Sequence, residues 1–107
     1  MTVLKWFFDE SFILPNPLIA TDDGTALVSY TGSDAASLTV GGELDKLASN
    51  VGLGRVFAGI HWREDIAEGL RLGEAVAIAL LKGQAHLYGE EFHGFTFTKF
   101  DGTQVTV

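Results

Sequence analysis

Residues 62–83, "WREDIAEGLRLGEAVAIALLKG", contain no proline, and Ile66, Leu70, Gly73, Ala77 and Leu80 or Leu81 fall along one side at helical spacing. This stretch constrains the fold most: a helix of this length spans most of a small domain, and everything else must pack around it. Its other faces are also poor in charge. Gly69, Gly73 and Ala77 stand four apart, a small-residue stripe that admits a close neighbouring backbone and predicts burial on more than one side. A second helix is predicted after Gly41 and Gly42, running toward Phe57, with Leu44, Leu47, Ala48 and Val51 on one face.

The N-terminal stretch places Val3, Leu4, Phe7, Phe8 and Phe12 at helical spacing, predicting an amphipathic helix over residues 2–10. Only two residues precede the pattern, so this helix looks entered midway. "LPNPLIATDDG" supplies two X-Pro steps and an Asp-Asp-Gly turn, and residues 14–40 read as mostly irregular, with "ALVSY" as a short strand or a tethered segment. At the other end "FTFTKFDGTQVTV" alternates around Asp101-Gly102 and predicts a β-hairpin. The expected architecture is mainly α: a partial helical bundle with a C-terminal hairpin, all within one domain.

With 107 residues, 47% of them hydrophobic, the chain is long enough for one unit that buries roughly two thirds of its unfolded surface. A formal net charge of -7 repels phosphate backbones, which argues against nucleic-acid or anionic-membrane binding, so any anion site must be local. The absence of cysteine excludes thiolate chemistry and disulfides. No apolar run approaches the roughly 20 residues of a membrane span, and the first residues lack a basic region with a cleavage site. The chain reads as soluble, and its compartment stays open.

The stretch "GRVFAGIHWRED" (54–65) concentrates the chemistry. His61 and Asp65 are four apart, so on a helix the carboxylate can orient the imidazole. In one unbroken helix Arg55 would lie about 240° around the axis from His61. Both can face one pocket only if the chain bends between them, and Gly59 offers the bend. His61 would then stand at the start of the next helix, where free N–H groups favour an anion. Spacing alone leaves a plainer alternative open: Arg55, Arg63, Glu64 and Asp65 as a solvated charged patch, with His61 capping a helix. His86 and His93, with Tyr88, Glu90 and Glu91 around them, lack a convincing third ligand and read as ordinary surface or packing residues.

The full string Arg55-VFAGI-His61-WRE-Asp65, followed by "IAEGLRLGEAVA", resembles the third signature of the vanadium-dependent haloperoxidases and type 2 phosphatidic-acid phosphatases. "VLKWFFDESF", "LTVGGELDKLASN" and "FHGFTFTKFDGTQVTV" are similar to the C-terminal part of bacterial haloperoxidase-like proteins, so the resemblance covers most of the chain. It implies a helical bundle holding vanadate, or a substrate phosphate. Arg55 would hydrogen-bond the oxyanion, His61 would bond vanadium axially or attack phosphorus, and Asp65 would orient His61. It also implies hydrogen peroxide and halide as substrates, with hypohalous acid as product and vanadate as the Lewis acid. Gly54 stands where the signature often has Ser. The family's first and second signatures, Lys-x6-Arg-Pro and Pro-Ser-Gly-His, are absent from these residues, so the pocket would be completed by preceding sequence or another subunit. Alone, one Arg beside a helix N-terminus should hold vanadate at about millimolar strength, about 4 kcal/mol. Two further readings are an acid phosphatase with His61 as nucleophile and a non-catalytic remnant that self-associates into a homo-oligomer through its exposed helix faces.

Overall fold

The computed structural model describes residues 1–89 and 92–107; Glu90 and Glu91 lie outside the described residues. Its elements are α1 (Thr2–Phe7), β1 (Leu18–Ala20), β2 (Leu27–Ser29), α2 (Val40–Phe57), α3 (Arg63–Ala85), β3 (Thr96–Thr98) and β4 (Gln104–Thr106). Two long helices carry two separate antiparallel hairpins, so the architecture is mixed rather than mainly α. The additional sheet is β1–β2, with Ile19 opposite Val28. Proline and the Asp-Asp-Gly turn mask its short apolar runs in the sequence. The whole excursion is closed at its base, where Leu14 donates to the Leu38 carbonyl at 2.9 Å and Val40 to that of Phe12 at 3.0 Å.

Thr39 caps α2, its hydroxyl accepting the Gly42 N–H at 3.2 Å, so the helix begins before the two glycines and includes them. Its buried positions are Gly41, Ala48 and Gly52, whereas Leu47 and Val51 face outward. The small residues have a steric reason. A methyl group on Gly52 would collide with Ile66 of α3, and one on Gly41 would stand 2.9 Å from Glu10 Cβ. Helices α2 and α3 therefore approach through Gly52 and Ile66.

The C-terminal hairpin pairs Phe97 with Val105, as its alternation predicts. Phe97, only 1% exposed, forms the core with Leu81 and Ala48. Buried polar contacts fasten the hairpin to all three helices. Lys5 Nζ donates to Asp45 Oδ2 at 2.7 Å and to the Thr98 carbonyl at 2.8 Å. The Glu10 carboxylate accepts the Thr98 N–H at 2.9 Å and its hydroxyl at 2.8 Å. Glu74, buried on α3, accepts the Phe100 N–H at 2.7 Å.

Helix α1 stops earlier than its pattern predicts. Phe8 is extended, and Asp9 draws the Ser11 N–H and hydroxyl into a turn. Its orientation is also the reverse of the expected one: Thr2 and Lys5 are buried, while Val3, Leu4, Phe7 and Phe8 are exposed. The small-residue side of α3 is likewise open, with nothing within contact of a Cβ on Gly69 or Gly73. Burial of α3 on several sides is thus not found within this chain. The radius of gyration, 16.5 Å, exceeds the roughly 13 Å of a compact chain this long.

Candidate functional site

Helix α2 ends in a Schellman motif. Gly59 donates to the Val56 carbonyl at 2.9 Å and Ile60 to the Arg55 carbonyl at 3.1 Å, with Gly59 at φ 70°. The left-handed backbone needs glycine, and it breaks the helix between Arg55 and His61 where the sequence requires a bend. Arg55 therefore occupies the last turn of α2, and His61 lies in the connection just ahead of α3.

Trp62 is the N-cap of α3, and its N–H donates to Asp65 Oδ2 at 2.9 Å. The same oxygen stands 3.8 Å from His61 Nδ1, too far for a hydrogen bond. Asp65 thus serves first as the carboxylate that satisfies the helix start and only second as a neighbour of the imidazole. Its spacing of three after Trp62 was the available signal for that role.

Arg55, His61 and Asp65 all lie on exposed surface. Among the described residues Arg55 has no ion pair, and none of five grooves of about 230–460 Å³ on the described surface is lined by Arg55, His61 or Asp65. Arg63 instead lines a groove of about 370 Å³ between α2 and α3, with Leu53, Val56, Ile66 and Leu70. The break brings large apolar side chains to the surface as well: Phe57 is 91% exposed, Trp62 80% and Ile60 54%. What these residues offer chemically is one exposed guanidinium, one imidazole 3.8 Å from a carboxylate, and the start of a long helix, with exposed apolar side chains close by in the sequence. Among the described residues there is no cluster of three metal-ligating side chains, and no helix is long and apolar enough to cross a membrane.

No protein-family model matches the chain. Two curated proteins, the vanadium-dependent bromoperoxidases of Corallina officinalis and Corallina pilulifera, are each 43% identical over 107 residues, covering 100% of this chain and 17% of the relative. The vanadium-dependent bromoperoxidase of Ascophyllum nodosum is 41% identical over 88 residues, covering 82% of this chain and 15% of the relative. These relatives are algal, so the resemblance to bacterial proteins in particular is not supported. The chain spans less than a fifth of the length of the curated relatives it matches. Along its whole length, then, the chain is similar to one stretch of the vanadium-dependent bromoperoxidases.

Proposed function

We propose that the chain is the segment of a vanadium-dependent haloperoxidase that supplies Arg55, His61 and Asp65 to a vanadate pocket completed by further polypeptide. The observation that carries this reading is the glycine break, which takes His61 off the helix of Arg55 and leaves both side chains exposed. Fit to the cofactor is partial but chemically apt. Arg55 is an exposed guanidinium with no partner among the described residues, suited to hydrogen-bond the oxygens of an oxyanion. His61 offers Nε2 as a ligand atom, and Asp65, at 3.8 Å from Nδ1, needs only a small approach to fix the tautomer. Bound vanadate would supply Lewis acidity toward hydrogen peroxide, with halide as the co-substrate and hypohalous acid as the product.

One arginine balances too little of the charge of vanadate, so the remaining cations and donors come from outside these residues. The exposed side chains Phe57, Ile60 and Trp62, and the outward apolar face of α1, are where such polypeptide would pack. A second copy of the chain is the other candidate to cover them. The phosphatase reading is less supported, because the similar proteins are named bromoperoxidases. Vanadium-51 NMR tests the cofactor assignment on the chain itself. Vanadate should bind at about millimolar strength, detectably broadened by the wild-type chain and by Arg63→Ala but not by Arg55→Ala or His61→Ala. Equal broadening by all four would remove Arg55 and His61 from the assignment.

A further inference from the structure

Glu74 is a buried carboxylate with too few donors. It is only 9% exposed, yet its Oε1 accepts a single hydrogen bond, from the Phe100 N–H at 2.7 Å. Among the described residues its other oxygen accepts none, and no cation pairs with it. Lys99, within electrostatic reach, is held instead by Asp101 at 2.8 Å. A carboxylate offers about four lone-pair positions, and taking one out of water is costly unless a charge or several donors meet it.

This carboxylate lines a groove of about 230 Å³ along α3, with Gly69, Gly73 and Ala77 and, from the N-terminal stretch, Met1 and Val3. Nothing stands within 4 Å of a Cβ added at Gly69 or Gly73. The track of small residues runs about 12 Å, just over two helical turns, which is the footprint of a crossing helix rather than of a point charge. We propose that the groove seats a helix of further polypeptide whose lysine or arginine pairs with the free oxygen of Glu74. Gly69 and Gly73 let that helix come close enough for a long cationic side chain to reach a carboxylate below the surface. A chain of net charge -7 is poor in cations of its own, so the partner's charge complements it. That the helix belongs to the polypeptide completing the vanadate pocket rests on the reading above; the demand of Glu74 for a cation does not.

The experiment uses the full chain and three synthetic helical peptides of about 20 residues, fluorescently labelled and alike except at the centre of an alanine-rich face. That position carries lysine, norleucine or glutamate, and binding is followed by anisotropy. The lysine peptide should bind at least about tenfold more tightly than the other two. Glu74→Gln, which keeps an acceptor for Phe100, should abolish that preference and leave norleucine-peptide binding unchanged, while Gly73→Leu should abolish binding of all three. Circular dichroism checks that both variants fold, and the peptide series on the wild-type chain needs neither. Absence of lysine-peptide binding, equal binding of the lysine and norleucine peptides, or a preference that survives Glu74→Gln would overturn the proposal. So would equal affinity for N-acetyl-lysine methylamide, a point cation without a helix, or a dimer of the chain that Gly73→Leu dissociates, which would put a second copy in the groove. No vanadate is present, so this proposal and the vanadate assignment fail separately.

Discussion

The carboxylate of Asp65 holds the Trp62 N–H at 2.9 Å and stands 3.8 Å from the imidazole of His61. One side chain thus starts α3 and neighbours the candidate ligand. Asp65→Asn keeps an acceptor for Trp62, while Asp65→Ala removes it. Urea unfolding should show the alanine variant about 1 kcal/mol less stable and the asparagine variant close to wild type. Equal losses in both would assign the stabilisation to charge rather than to the cap.

Gly52 is required by the approach of α2 to α3 at Ile66. Gly52→Ala should cost about 1–3 kcal/mol through overpacking. The collision is with Ile66 Cγ2, so in an Ile66→Ala background, where that methyl is gone, Gly52→Ala should cost less than in the wild-type chain in the same unfolding assay.

The packing of these helices was legible in the sequence only in outline. The periodicity over residues 62–83 locates α3 because an unbroken apolar pattern of that length has few alternatives, and Asp101-Gly102 locates the last turn for similar reasons. The faces were not legible. Leu47 and Val51 were expected inside and lie outside, because the close approach selects Gly52 and Ala48 instead. Phe7 and Phe8 face solvent for a different reason: Lys5 is drawn inward by Asp45 and the Thr98 carbonyl, partners 40 and 93 positions away. No local window contains such partners. At the candidate site the bend at Gly59 is readable from a single residue, because a left-handed backbone there favours glycine.

Lys5 joins α1, α2 and the hairpin through two charge-assisted contacts. Lys5→Met keeps the stem and removes the ammonium, leaving Asp45 and a carbonyl without their donor. The expected loss is about 1.5–3 kcal/mol, with faster amide exchange in β3 and β4 as the specific sign that the hairpin has loosened.

Asp23 at the β1–β2 turn accepts from the Thr21 hydroxyl and from the N–H and hydroxyl of Thr25, and these bonds, Thr21 foremost, lower its pKa from 3.8 to about 2. The folded value is depressed, so the turn's carboxylate contribution is fully present above the unfolded value and disappears as pH falls through about 2. Carbon-detected NMR titration should give Asp23 that midpoint, and Thr21→Val should move it upward. A midpoint unchanged by Thr21→Val would show that the Thr21 hydroxyl is not the cause.

The central claim is that these residues furnish a working part of a vanadate pocket, and a chimera measures it most directly. The corresponding stretch of the Corallina officinalis bromoperoxidase, 43% identical, is replaced by this chain, and bromination of monochlorodimedone is followed with vanadate, peroxide and bromide. The prediction is turnover in the chimera, retained in Arg63→Ala and reduced at least about a hundredfold in His61→Ala, as for loss of a metal ligand. A His61→Ala chimera that brominates as fast as its parent would contradict the account.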